Sequence, residues 1–322
     1  MKIGIVGLGS IGRKHASIVH ELGGSVYALR SNKGSLKRLT GDLKFVQQIT
    51  ELRKFKESGL DAVIISTPTS IHISNLTDIA DLDVPVLVEK PIASELSDLS
   101  VLSKQQQGRI RVAFCLRFHP ITLKVKEVIS SFKLGRVLKA NLVVGQHLPT
   151  WHPYTDYRTE YFSKKSLGGG ALRTLSHELD LAYHWFGDYE ATFAFADKLS
   201  DLEIDVDDNV FILNRHKEGV TTNITIDFLA PKVRRYGYVL FEHGELHYDM
   251  IASTLTINHY HGVPDEIIEL EPNDMYKTQM IDFFKLIESE ESKLATYRDS
   301  VHIMKLISAV EKSTIEKKLI KI

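Results

Sequence analysis

The chain has 322 residues, 43% of them hydrophobic, with 40 basic and 41 acidic side chains giving a formal net charge of -1, nine Pro and a single cysteine, Cys115. That balance leaves no basic footprint for nucleic acid or for an anionic membrane surface. One cysteine allows neither an intrachain disulfide nor a Cys-rich zinc module, and no apolar run approaches the roughly 20 residues that span a bilayer.

The length suggests about two domains, and a beginning in a strand-like run without a charged-then-apolar leader gives a cytoplasmic expectation. Five short runs rich in Val and Ile read as buried strands: KIGIVGL (2–8), SVYAL (25–29), DAVIIST (61–67), PVLVEK (85–90) and RIRVAFCL (109–116), the last burying Cys115. Helical patterns lie between them. SIGRKHASIVHELG (10–23) puts Ile11, His15, Ile18 and Leu22 on one stripe and stops at Gly23-Gly24, and SNLTDIADL and SELSDLSVLSKQQQ behave alike. Strand and helix in alternation predict a parallel, doubly wound α/β sheet with right-handed crossovers over residues 1–118.

The texture changes from Gly135 onward. NVFILNRHKEGVTTNITIDF reads as strand, turn, strand, with Val220, Ile224, Ile226 and Phe228 alternating with Thr221, Asn223, Thr225 and Asp227. YGYVLFEHGELHYD reads as a hairpin over His243-Gly244. Residues 119–322 are therefore expected to form an α+β domain with a mostly antiparallel open sheet and helices at about 119–133, 170–186 and 274–289. A last helix, about 298–314, carries Val301, Met304, Ile307 and Val310 on one stripe and suits packing on either domain.

Gly7-Leu8-Gly9-Ser10-Ile11-Gly12 lies between a predicted strand and a predicted helix. There glycines allow a tight turn and close approach of the backbone to a pyrophosphate at the helix N-terminus. Arg30 follows 18 residues beyond Gly12, where an acid would bind the ribose 2′-OH of NAD. A guanidinium there grips a 2′-phosphate instead, with Ser31, Asn32 and Lys33 adding donors, so NADP(H) is expected over NAD(H). The alternative is that Arg30 and Lys33 form a solvated loop.

Thr67-Pro68-Thr69 with His72, Glu89-Lys90-Pro91, Arg117-Phe118-His119-Pro120 and Gly168-Gly169-Gly170 leading to His177 and Asp180 occur in this order. Together they resemble the glucose-fructose oxidoreductase, inositol dehydrogenase and rhizopine catabolism (Gfo/Idh/MocA) family over nearly the whole chain. The resemblance implies an N-terminal Rossmann domain and a sheet domain for substrate binding and oligomerisation. It implies a nicotinamide cofactor and hydride transfer with a sugar, nucleotide sugar or cyclitol, in homodimers or homotetramers that use the C-terminal sheet. It also implies that Thr67, Pro68, Thr69, His72, Glu89, Lys90 and Arg117 join the glycine turn in holding the cofactor.

Lys90, at the carboxyl end of a central strand, suits polarising a carbonyl or stabilising an alkoxide. His177 is the acid-base candidate, since imidazole titrates near neutrality and hydride transfer makes or consumes an alcohol proton. Many family members carry an Asp shortly before that histidine, whereas GGGALRTLSHELD offers Arg173 and Thr174. Three alternatives stand: Thr174 relays the proton through its hydroxyl, Glu178 substitutes, or the chemistry has been lost. Asp180 shares the face of His177 and is expected to orient its ring. His177, Asp180 and His184 have a spacing that zinc accepts, but a His-Asp contact and a packed histidine explain it, and no metal is expected.

HLPTWHPYTDYRTEYFSKK (147–165) gathers Trp151, Tyr154, Tyr157 and Arg158, which with Arg173 suit a polyhydroxylated substrate; the alternative is a loop whose aromatics form its own small core. The residues thus predict an NADP(H)-dependent oxidoreductase. The rivals are an NAD-linked sugar or inositol dehydrogenase and a catalytically silent dinucleotide-binding sensor.

Overall fold

The computed structural model describes residues 1–30, 43–151, 155–260 and 265–322. In chain order come β1 (Lys2–Val6), α1 (Ser10–Glu21), β2 (Ser25–Leu29), β3 (Gln47–Ile49), α2 (Leu52–Lys56), β4 (Ala62–Ile65), α3 (His72–Asp78), β5 (Val86–Val88), α4 (Lys104–Arg109) and β6 (Ile110–Val112). There follow α5 (Pro120–Ser131), β7 (Val137–Gly145), α6 (Leu148–Trp151), α7 (Ala171–Thr174) and α8 (His177–Phe186). Then come β8 (Tyr189–Asp197), β9 (Asn209–His216), β10 (Thr221–Asp227), β11 (Arg234–Phe241), β12 (Gly244–Asp249), β13 (Thr254–His259) and β14 (Glu266–Glu269). The last elements are α9 (Met275–Ile287), β15 (Ala295–Thr296), α10 (Tyr297–Glu316) and β16 (Ile320–Lys321). Two compact units result: Met1–Cys115 with Asp274–Ser300, and Leu116–Asn273 with Val301–Ile322. Among the described residues no helix is long and apolar enough to cross a membrane.

In the first unit the sheet runs β15-β6-β5-β4-β1-β2-β3, parallel throughout except for β15 against β6. Its parallel strands follow the order 3-2-1-4-5-6 of dinucleotide-binding sheets. Ile3, Ile5, Val63, Ile64, Leu87 and Val88 are fully buried, which is why these strands read as continuous apolar runs. β3 escapes such a reading because Gln47-Gln48-Ile49 has neither run nor alternation and pairs only with β2. The predicted helix after residue 94 divides into a 3-10 turn, Leu96–Val101, and α4. Ser103 starts the second piece through a capping box with Gln106. Cys115 is buried as expected, though in a 3-10 turn beyond β6. The segment 274–300 belongs to this unit: Asp274 caps α9, and Lys14 Nζ on α1 lies 3.7 Å from the centre of the Tyr276 ring.

In the second unit the sheet runs β14-β13-β12-β11-β7-β10-β9-β8-β16, with β7 and β10 parallel and every other pair antiparallel. Alternation holds along β10, where Ile224 and Ile226 are buried and Asn223 is exposed. Asp227 departs from it. It is buried because its carboxylate accepts the N–H groups of Leu229 and Ala230 and the Arg234 guanidinium at 2.6–2.9 Å, closing the turn after the strand. α5 and α8 cover one face, joined by Trp185 Nε1 donating to Thr122 O. The helix expected over 170–186 breaks at Leu175-Ser176 into α7 and α8. α10 belongs to this unit from Val301 onward, and its Ser313 and Thr314 hydroxyls accept the N–H groups of Ala194 and Ala196 on β8.

His216, at the end of β9, is fully buried between Gly187 O (2.9 Å) and the Thr222 hydroxyl (3.1 Å). Burial pushes its imidazole down to about 4. An unfolded histidine titrates near 6.5, so stability is fully present above that value and is lost as pH falls towards about 4, by up to about 3 kcal/mol. Urea midpoints measured from pH 7.5 to 4.5 are expected to fall below pH 6.5, and His216→Gln to make that fall shallower; an unchanged slope in the variant would assign the acid lability elsewhere.

Candidate functional site

The glycine turn joins β1 to α1. A Cβ on Gly12 would lie 2.1 Å from Gly7 O and 2.6 Å from Ser66 Oγ, so only glycine lets the helix start this close to the strand. Ser66, which sequence reasoning passed over, donates its hydroxyl to Gly7 O at 2.7 Å. Gly9 is the N-cap of α1, makes no side-chain cap and faces open space where a Cβ would stand. The first turn of α1 holds no acid, so its N–H groups and the positive end of its dipole suit a pyrophosphate. At the end of β2, Arg30 donates its backbone N–H to Ile49 O (2.8 Å) and Nη1 to Gln48 Oε1 (2.9 Å). Ser31, Asn32 and Lys33 lie outside the described residues.

β5 delivers Glu89 and Lys90 at its carboxyl end. Glu89 Oε1 is 2.8 Å from Nε2 of His15, a fully buried residue of α1. Lys90 is half-buried, and the Lys90-Pro91 peptide is cis. His72, expected to hold cofactor, is buried with Nδ1 3.0 Å from Pro91 O and Nε2 2.9 Å from Thr67 O. Its ring ties the Thr67-Pro68-Thr69 turn to the segment after Lys90. Burial lowers its basicity, against the two carbonyls and Glu89. The Thr67 hydroxyl donates to Asn75 Oδ1 at 2.8 Å.

In the second unit α8 opens with His177, half-buried, followed by Glu178 and Asp180, each 1% exposed. Acids in a first turn complement the helix dipole, and here each also meets an arginine. Asp180 accepts Nε (2.9 Å) and Nη2 (2.6 Å) of buried Arg117, and Glu178 accepts Nε of Arg235 at 2.7 Å. Arg117 is read from the sequence as a cofactor ligand and Asp180 as the residue orienting His177; the structure brings these two to each other. Thr174, also buried, donates its backbone N–H to Gly170 O, and Arg173 pairs with Glu311 on α10.

The triple glycine has a packing role. Gly170 has φ +109° and ψ 153°, a region essentially only glycine enters, and a Cβ there would stand 2.3 Å from Asp207 Oδ1. Asp207 accepts the Leu172 N–H at 2.8 Å, and burial pushes its carboxyl up. Nothing in the run IDVDDN announces this residue. Among the described residues no group of three His, Cys, Asp or Glu side chains is placed to hold a metal ion.

In the aromatic segment Trp151 stacks on buried Phe162, ring centres 5.3 Å apart, and lies 6.0 Å from Phe228. The Arg158 fork is closed on Asp156 (2.8 Å) and reaches Glu203 (3.1 Å). The Tyr157 hydroxyl accepts the Glu203 N–H at 3.3 Å, and Tyr154 lies outside the described residues.

Sheet order, glycine turn and a helix N-terminus without a side-chain cap define a dinucleotide-binding domain. Residues 1–114 match the "Oxidoreductase family, NAD-binding Rossmann fold" and residues 122–247 the "GFO/IDH/MocA C-terminal domain". The chain belongs to the GFO/IDH/MocA family. It is 27% identical over 139 residues to "Putative oxidoreductase YteT" of Bacillus subtilis, a match covering 42% of this chain and only about a third (32%) of YteT. Over its full length it is 26% identical to "Myo-inositol 2-dehydrogenase" of Thermotoga maritima, covering 98% of that protein. In fold it is similar to a structure of levoglucosan dehydrogenase in complex with NADH, with TM-score 0.86, 17% identity and coverage of 100% of this chain and 98% of the other.

Removing one partner of a buried ion pair strands the other charge. Asp180→Asn and Arg117→Met are each expected to cost about 3 kcal/mol in urea unfolding, and the double variant Arg117→Met/Asp180→Asn to cost clearly less than their sum; losses that simply add would show that the pair carries no coupling.

Proposed function

We propose that the chain is an NADP(H)-dependent oxidoreductase moving a hydride between the nicotinamide and a carbinol or ketone carbon of a sugar, nucleotide sugar or cyclitol. Gly7, Gly9, Ser10, Ile11 and Gly12 would hold the pyrophosphate, and Arg30 with Ser31, Asn32 and Lys33 the 2′-phosphate. The cofactor, when bound, supplies or accepts the hydride. Lys90 polarises the reacting oxygen as an ammonium donor, which stabilises developing negative charge. His177 exchanges the alcohol proton, and Thr174, three residues earlier, is the candidate relay.

The observation that carries the cofactor preference is Arg30. It directly follows β2, where a carboxylate would bind a ribose 2′-OH, and among the described residues its side chain meets the neutral amide of Gln48. Titration of cofactor-free protein with NADPH and NADH at fixed salt is expected to show NADPH at least tenfold tighter. Arg30→Asp is expected to weaken NADPH by about 30-fold, on the order of 2 kcal/mol. Equal affinities would turn the reading to an NAD-linked dehydrogenase, the cofactor type named for the levoglucosan dehydrogenase structure.

A silent dinucleotide-binding sensor is the second reading, favoured by Arg173 and Thr174 standing before His177 where many family members carry an Asp. With keto-sugars and NADPH, His177→Asn is expected to lower kcat by 10²–10⁴ while NADPH affinity stays within a few-fold. No turnover by the unaltered protein across such a panel would favour the sensor.

We also propose a homodimer or homotetramer through the face of the second unit's sheet that displays Phe195, Phe211, Leu213 and Tyr236, each 41–55% exposed. Light scattering of the purified chain reads this directly, and a monomer would exclude it.

A further inference from the structure

Arg30 is held twice at the edge of the first unit's sheet. Its backbone N–H donates to Ile49 O, and its Nη1 donates to Gln48 Oε1 at 2.9 Å. The second contact follows from strand pairing. β2 and β3 are parallel with Ala28 opposite Gln48 and Leu29 opposite Ile49, so the pairing brings Arg30, the residue after β2, beside the amide carried by β3.

The chemistry of that partner distinguishes Arg30 from most arginines of the chain. Arg117 meets Asp180, Arg136 meets Glu242, Arg158 meets Asp156, Arg173 meets Glu311, Arg234 meets Asp227 and Arg235 meets Glu178. A carboxylate partner cancels the guanidinium charge. An amide oxygen accepts one of the five N–H donors and cancels none of it. Arg13, directly after Gly12, shows the same choice, with Nε donating to the neutral carbonyl of Leu8 at 3.2 Å.

We infer that Gln48 is a specificity-determining residue, a positioning residue that fixes the Arg30 fork for a phosphomonoester without neutralising it. This rests on the 2′-phosphate reading of Arg30. An apolar side chain at 48 would leave the fork charged but unplaced, and a carboxylate would place it but neutralise it and repel the phosphate. The amide satisfies both requirements. Gln48 is solvent-exposed, so its substitution leaves the core untouched.

The test is titration of Gln48→Glu, Gln48→Met and Arg30→Ala with NADPH and with NADH at fixed salt, alongside the unaltered protein. Gln48→Glu is expected to weaken NADPH at least tenfold and leave NADH within threefold. Gln48→Met, keeping the charge but losing the hold, is expected to weaken NADPH two- to fivefold. If Arg30→Ala loses NADPH affinity but Gln48→Met or Gln48→Glu does not, or if Gln48→Glu weakens both nucleotides equally, the role of Gln48 is overturned while that of Arg30 stands. If Arg30→Ala also leaves NADPH unchanged, the 2′-phosphate reading falls and takes Gln48 with it.

Discussion

The close approach of α1 to β1 at Gly12 is the constraint on which the cofactor end of the first unit depends. With a Cβ position only 2.1 Å from Gly7 O, any larger residue would push the helix off the strand end. Its consequences reach well beyond the turn. The same helix carries His15 to Glu89 at the end of β5, and the residue after β4, Ser66, closes on Gly7 O. His72 then bridges the Thr67 and Pro91 carbonyls. Parallel strands all end on one side of their sheet, so groups from the ends of β1, β4 and β5 gather there without any long excursion of the chain.

The second unit uses charge where the first uses close packing. Two acids in the first turn of α8 are each met by an arginine from another part of the unit, Arg117 before α5 and Arg235 on β11. Buried pairs of this kind contribute little net stability compared with apolar residues of similar volume. Their directional bonds instead fix the rotation and depth of the helix whose first residue is His177. Asp207 does the equivalent for α7 through the Leu172 N–H, and Gly170 is the residue that makes room for it.

Elements with a strong period were legible in the chain itself. SVYAL is β2 to the residue, while the turn expected at His243-Gly244 falls one residue earlier, at 242–243, with Gly244 opening β12, and Val220 lies in the connection before β10 rather than in the strand. β3 was not legible, because three residues at the sheet edge pairing with a single neighbouring strand carry no pattern. Nor was the break between α7 and α8, since LRTLSHELD keeps helical spacing across it. Among the candidate functional residues, the glycine turn, Arg30, Glu89-Lys90 and His177 stand out as residue types in a recognisable order. Ser66, Gln48 and Asp207 do not, because their partners lie far along the chain or in a motif-free run.

Sequence alone determined the class of the molecule: the alternation of strands and helices, the glycine-rich turn after the first strand, and the absence of an acid at the end of the second. These are local properties, set by backbone sterics, side-chain period and charge within a few residues. Tertiary structure alone decided which charged groups are committed to one another. Arg117 and Asp180 are 63 positions apart, Arg173 and Glu311 are 138 apart, and Arg30 faces an amide from the neighbouring strand. A guanidinium in sequence is a charge with no declared partner; only folding, by burying some carboxylates against it and leaving others in water, settles whether that charge is spent on the fold or kept for a ligand.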